Sequence, residues 1–149
     1  STVNSYRRML DLGMWAPVYA DWGFQNRTTA LRVSAPGRLE YRAVDSMVNP
    51  YLMAATLIGA MDDGIKRNID PGEPEQRNIY DAMEAGKEVK RLPKYFGDAL
   101  DALAADEVVK SAMPGGLYDI YDEYKRDEWD RFNAEVSSWD VEKYLDCLP

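Results

Sequence analysis

Histidine is absent from all 149 residues. That removes the Ser/His/Asp triad, the Cys/His pair, His-ligated zinc and an imidazole general base. Chemistry carried by this chain must therefore use arginine, carboxylates, tyrosine or lysine. Cysteine is nearly absent too, since Cys147 stands alone. No internal disulfide can form, which fits a reducing compartment and makes the cytoplasm the expected location. No apolar run reaches the length of a membrane span: the longest, Tyr51 to Met61, is interrupted by Thr56 and Gly59 and followed by Asp62 and Asp63, so no membrane role is expected. The phosphate-binding glycine patterns GxxxxGK(S/T) and GxGxxG do not occur. A basic start followed by an apolar stretch is missing as well, and the opening Ser1 leads us to expect a processed or truncated product. Positive charge is in short supply overall, with 18 basic against 26 acidic residues and a net charge of −8. Such a balance argues against nucleic acid as a partner.

What is present fits one globular domain, with 46% hydrophobic and 30% charged residues. The charge is unevenly spread. Residues 1–44 hold six arginines and no lysine against three acids, whereas residues 95–149 hold fourteen acids against five bases. The acidic half reads as a solvated helical face. Within the first part, Arg27 to Val33 and Leu39 to Ala43 carry β-branched or aromatic residues in partial alternation around Pro36-Gly37, which predicts a β-hairpin. Period-2 geometry sets Glu40 and Arg42 on one face. Whether Arg32 joins them depends on the register of the turn, which the sequence leaves open.

Asn49-Pro50 predicts a helix start, because Asn caps free amides and Pro at the first helical position loses no needed hydrogen bond. The helix that follows, Tyr51 to Met61, is apolar nearly all round and calls for more cover than a small helical half-domain provides, so part of its surroundings is expected to lie outside this chain. Asp70 to Pro74, with two prolines and a glycine, predicts a rigid loop. Further helices are expected at Tyr95 to Ala104, Asp106 to Ala112, Leu117 to Val136 and Val141 to Leu145. No repeat and no linker marks a second domain.

Arg8, Arg27, Arg32, Arg38 and Arg42, with Glu40 among them, make a candidate site for a polyanion with a divalent metal on the carboxylate, because guanidinium pairs bidentately with phosphate oxygens and stays charged. Salt bridges on a hairpin would place the same residues together.

Several motifs in order carry a family resemblance: Asn4-Ser-Tyr-Arg-Arg8, Asn26-Arg-Thr-Thr-Ala-Leu-Arg32, Arg38-Leu-Glu-Tyr-Arg42, Asn49-Pro-Tyr-Leu52, Asp63-Gly-Ile65, Ile69-Asp-Pro-Gly-Glu-Pro74 and Asn78-Ile-Tyr-Asp81. Their order and spacing resemble the C-terminal part of glutamine synthetase catalytic domains. The resemblance implies an α+β fold over residues 1–149. Residues 1–44 would form a strand-rich active-site segment and residues 45–149 a helical segment, with the β-grasp N-terminal domain and the rest of the catalytic domain absent. It implies ATP-dependent amide formation, in which ATP phosphorylates the glutamate side-chain carboxylate and an amine then attacks the γ-glutamyl phosphate.

By the same resemblance, Arg8 binds glutamate near its reacting end, and Arg27 and Arg32 steady the ATP phosphates with Arg38 as a further nucleotide contact. Glu40 ligates a catalytic Mg²⁺ or Mn²⁺, and Arg42 stabilises the transferred phosphoryl group and the acyl phosphate. Fixed positive charge suits both steps, since each spreads negative charge over oxygen.

Two departures stand out. Ammonia-using members usually read like P-G-x-E-A-P after the first arginine. Here Asp11-Leu-Gly-Met-Trp-Ala-Pro17 is one residue longer and, anchored on Ala16-Pro17, sets Trp15 where that Glu would lie. An indole cannot accept a proton but offers a cation-attracting wall suited to an alkylammonium, so the sequence looks like the branch containing glutamate-methylamine ligase. The alternatives are ammonia as substrate, Trp15 as a packing residue, or a non-catalytic structural member of the family. An independent acidic helical interaction module remains a reading from another class. The loop between Arg32 and Glu40 is also shorter than usual, which bears on Arg38. Tyr80 aligns with a tyrosine adenylylated in some bacterial members, with packing in a loop as the alternative. Tyr144, Leu145 and the Cys147-Leu-Pro149 end resemble a segment that reaches into another subunit of a homo-oligomer, expected to be a dodecamer of stacked hexameric rings with active sites between subunits.

Overall fold

A computed structural model describes residues 1–10 and 16–147. In chain order the elements are α1 (Val3–Arg7), β1 (Trp22–Phe24), β2 (Leu31–Ala35), β3 (Arg38–Tyr41), α2 (Pro50–Lys66), α3 (Ile79–Glu84), α4 (Phe96–Ala104), α5 (Glu107–Ser111), α6 (Leu117–Ala134) and α7 (Ser138–Tyr144), followed by a 3₁₀ turn over Leu145–Cys147. The fold is α+β: a three-stranded sheet in the order β1-β2-β3 joined to a mainly helical region.

The hairpin forms where Pro36-Gly37 predicts it. Gly37 sits at φ +72°, a conformation that side chains disfavour. Antiparallel pairing sets Leu31 opposite Tyr41, Arg32 opposite Glu40 and Val33 opposite Leu39, with an irregularity between Val33 and Ala35. The first strand is shorter than its sequence pattern suggests, because Thr28 is drawn into a turn: Asn26 Oδ1 accepts from both the backbone N–H and the hydroxyl of Thr28, at 3.0 and 2.7 Å. β1 then pairs parallel with β2, Trp22 opposite Leu31 and Phe24 opposite Val33. Only residues 25–30 connect the two, far fewer than a parallel crossover usually needs. Gln25, at φ +53°, turns the chain tightly enough to allow it.

Behind the sheet lies a small core of Met9, Val18, Tyr19 and Ile79, with Ala43, Tyr80, Met83 and Val89 against it. Tyr80 lies on α3, capped by Asn78, not in a loop, and its ring meets Tyr19 edge-on at 6.0 Å. A second cluster holds the helices together: Phe96 packs between Tyr6 and Trp129, at 5.6 and 6.4 Å between ring centroids.

α2 begins as expected, with the Asn49 side chain accepting from the N–H groups of Tyr51 and Leu52. It runs to Lys66, five residues beyond the apolar stretch, and buries none of its residues fully. Tyr51 is 84% exposed and Ile65 78%. Its inner side borders an open groove of about 620 Å³, lined in part by Leu52, Leu57, Phe96 and Leu103. The long helix α6 ends at Ala134, where Glu135 turns extended. No helix of the described residues is long and apolar enough to cross a membrane.

Candidate active site

The register of the hairpin decides the geometry left open by the sequence. Arg32 and Glu40 face each other across β2 and β3, and Arg32 Nη1 donates to Glu40 Oε2 at 2.8 Å. The Arg32 side chain is only 14% exposed. Its second arm, Nη2, donates to Gln25 Oε1 at 2.5 Å, so the guanidinium is held from both sides. Arg32, Glu40, Arg27 and Arg42 together line an open cavity of about 420 Å³.

Arg38 belongs to the edge of this arrangement. Its guanidinium lies 3.7 Å from the other Glu40 oxygen and is 71% exposed, at the end of the hairpin. Arg8, the residue that caps α1, is not part of the lining but donates from Nη2 to the Arg42 carbonyl at 2.7 Å. It thereby ties the first helix to the end of β3, whose next residue also donates from its backbone to Ala30 O at 2.8 Å. Trp15, assigned to the amine pocket, lies outside the described residues.

The site carries an excess of positive charge. The Arg32 guanidinium, through its hydrogen bond above all, holds the Glu40 carboxyl below the ordinary carboxylate range. Burial lowers the pKa of Arg42; Glu40 opposes that, and the positive charges of Arg27, Arg32 and Arg8 add to it. The guanidinium stays charged at neutral pH all the same. The buried Nε–H groups of Arg8 and Arg32 find no acceptor among the described residues. Several arginines crowded around one carboxylate, with donors to spare, form an arrangement that a bound anion would relieve.

As for metal, the described residues contain no group of three or more Asp, Glu or Cys able to enclose an ion. Glu40 alone suits a hard divalent cation such as Mg²⁺, which keeps several waters and takes one or two carboxylates together with substrate phosphates.

Sequence reasoning did not find the supports of this site. Gln25 lacks any signal beyond its place before the Asn26-Arg27 pair. Beneath the loop, Asn26 Nδ2 donates to the carbonyls of Glu75 and Arg77, both at 2.8 Å. Glu75 itself is 5% exposed and is gripped by Arg77 at 3.0 Å and Lys87 at 3.1 Å, while Lys87 also reaches Asp21 at 2.5 Å. Arg77, with side-chain and backbone donors, and Lys87 pull the Glu75 pKa from 4.5 down to about 2. A carboxyl whose pKa is depressed in the fold contributes stability that is whole above its unfolded value and is lost as pH falls toward the folded one. The chain should therefore lose stability between about pH 4.5 and pH 2. Glu75→Gln should flatten that part of a plot of urea midpoint against pH; a slope unchanged by the substitution would count against the role given to Glu75.

Residues 1–144 match the family model for the glutamine synthetase catalytic domain. A glutamine synthetase of Methanocaldococcus jannaschii is 40% identical, over 97% of this chain and 33% of its own length. One from Archaeoglobus fulgidus is 38% identical, over 97% and 31% respectively. The chain thus spans about a third of the length of the curated relatives it matches. Among solved structures, apo GmaS without ligand superposes with a TM-score of 0.86 at 36% identity, covering 98% of this chain and 33% of that one. A novel glutamine synthase homolog superposes at 0.67 with 33% identity, covering 94% of this chain and 32% of that one.

Proposed function

Because the chain belongs to the family of glutamine synthetase catalytic domains, we propose that it is the C-terminal portion of an ATP-dependent ligase that joins an amine, methylamine in the first place, to the γ-carboxylate of glutamate. Residues 1–44 serve as its active-site segment and residues 45–149 as its helical segment. The observation that carries this reading is the cavity in which Arg27, Arg32, Glu40 and Arg42 meet.

The two steps follow from the charges. Arg27 and Arg32, with Arg38 at the rim, hold the ATP phosphates, whose negative charge is balanced by guanidiniums that outnumber the one carboxylate among the described lining residues. Arg8 and Arg42 hold the glutamate γ-carboxylate, and Arg42 neutralises charge as the γ-phosphoryl group passes to a carboxylate oxygen and ADP leaves. The neutral amine then attacks the carbonyl carbon of γ-glutamyl phosphate, the C–O bond to phosphate breaks, and the proton lost by the nitrogen ends on the departing phosphate as HPO4²⁻. Glu40 would hold one Mg²⁺ or Mn²⁺, which supplies positive charge to the phosphoryl oxygens when bound. Other ligands and the remainder of the site lie in the two thirds of the family's length that this chain does not span. By itself the chain is expected to be inactive.

Methylamine is favoured by Trp15, which the sequence sets at the place of the proton-accepting Glu, together with the likeness to GmaS. Ammonia is favoured by the curated relatives, named glutamine synthetase. The retained arginines and Glu40 count against a structural member that has lost its chemistry. Assembly is a homo-oligomer, a dodecamer of stacked hexameric rings in the cytoplasm. α7 touches chiefly the 3₁₀ turn after it, and the two leave Trp139, Tyr144 and Leu145 exposed, as suits a tail that packs on another subunit.

The test is a chimera in which these residues replace the matching third of the Methanocaldococcus jannaschii relative, assayed for phosphate release with ATP, glutamate and either amine. Release with methylamine well above that with ammonia is expected. A large preference for ammonia would reverse the choice of amine, and no release with either would remove the ligase reading.

A further inference from the structure

The arginine loop is held from below by a polar network built on Asn26, Thr28, Glu75 and Lys87, none of which lines the cavity. Arg27 lies between Asn26 and Thr28, and both neighbours are buried while Arg27 is exposed. The Asn26 carboxamide uses all of its main valences: Oδ1 takes Thr28 N and Oγ1, and Nδ2 gives to the carbonyls of Glu75 and Arg77. Thr28 Oγ1 in turn accepts from Ile79 N at 3.0 Å, and the Thr29 hydroxyl donates to the carbonyls of Asn26 and Leu31 at 3.1 and 2.9 Å. The polar side-chain atoms of Asn26, Thr28 and Thr29 are therefore all hydrogen-bonded, some within the loop and some to residues 75–79. What fixes the 75–77 segment is Glu75, whose carboxylate binds Arg77 and Lys87 and whose N–H donates to Trp22 O at 2.9 Å. Lys87 closes the loop by also binding Asp21, the residue before β1.

From this geometry we infer that Asn26 and Lys87 are positioning residues for the polyphosphate site: they fix the backbone on either side of Arg27 so that its guanidinium is presented to the cavity without searching other conformations. The inference rests on the reading of the cavity as the seat of ATP phosphates. Arg27 makes no hydrogen bond or ion pair with any described residue, so its direction depends on its backbone and not on a side-chain partner. Preorganisation of this kind lowers the entropy lost when a ligand is bound. Lys87 acts at a distance, since its ammonium contacts Glu75 Oε2 and Asp21 Oδ2, neither of which lines the cavity.

Inorganic tripolyphosphate is the probe. Its affinity for the 149-residue chain is measured by calorimetry at fixed ionic strength, for the wild type, Asn26→Ala, Lys87→Met and Lys87→Arg, each with and without Arg27→Ala. Asn26→Ala and Lys87→Met are each expected to weaken binding about tenfold, the size of effect seen when a group supporting a ligand contact is removed. Lys87→Arg should restore most of the loss. In the Arg27→Ala background, Asn26→Ala and Lys87→Met should cost nothing further, which a general loss of structure would not reproduce. Near-UV circular dichroism on the same samples verifies folding, and if Asn26→Ala fails to fold, the comparison of Lys87→Met with Lys87→Arg decides. Losses that persist undiminished without Arg27, or wild-type affinity in both single variants, overturn the positioning role alone. A wild-type chain that does not bind tripolyphosphate overturns the polyphosphate reading and this inference with it.

Discussion

Glu40→Gln is expected to lower the rate of phosphoryl transfer in the chimeric enzyme by on the order of 10² to 10³, the range for loss of one preorganised electrostatic contact to a reacting group. Glutamine keeps the size of the side chain and an oxygen that can still accept from Arg32, so the hairpin should survive. What disappears is the only negative charge among the described residues that line the cavity. On the proposed reading the divalent cation loses its ligand from this chain, while Arg27, Arg32 and Arg42 would attract the ATP phosphates as strongly as before or more so. The expected signature is a fall in kcat with the KM for ATP unchanged or lower, and a requirement for more Mg²⁺. Steady-state kinetics over a range of Mg²⁺ concentrations would show it. An unaltered kcat would reduce Glu40 to the salt-bridge partner of Arg32.

Gly23→Ala should be the most destabilising small substitution in the sheet. A Cβ there would run into the backbone carbonyl of Glu75 and lie 3.0 Å from Asn26 Cβ. The carbonyl cannot swing aside, because Asn26 holds it and Glu75 N is bonded to Trp22 O. Overpacking of this kind costs about 3 kcal/mol, read as a lower urea midpoint. Gly64→Ala makes the contrast, since a Cβ on that helical glycine meets nothing within 4 Å; there a gain of about 0.5–1 kcal/mol is expected. Equal effects at the two positions would mean that β1 is not packed on the 75–77 segment.

Local chemistry explains what could be read in advance. Pro36-Gly37 and Asn49-Pro50 act through their own backbone preferences, so the hairpin and the start of α2 follow from a few adjacent residues. The gathering of arginines was legible because six of them sit in 44 residues without a lysine. Register was not, since a one-residue slip changes no composition, and only the Cα pairing of Arg32 with Glu40 sets both on one face. β1 is three residues long and contains a glycine, too little pattern to detect. The grip on Asn26 was invisible for another reason: its two distant partners lie 49 and 51 residues away, and both are backbone carbonyls that any residue would supply.

The bare side of α2 bears on how the protein must be handled. Tyr51, Ile58, Met61 and Ile65 face water on one helix, and contact between two such helices of separate molecules is opposed by the mutual repulsion of chains carrying −8 each. Salt shortens the reach of that repulsion to about 8 Å at physiological ionic strength. Concentrating the chain in high salt, as an ordinary purification would do, removes its colloidal protection just when apolar contact becomes most frequent. Dilute, low-salt conditions are the ones under which it should stay dispersed.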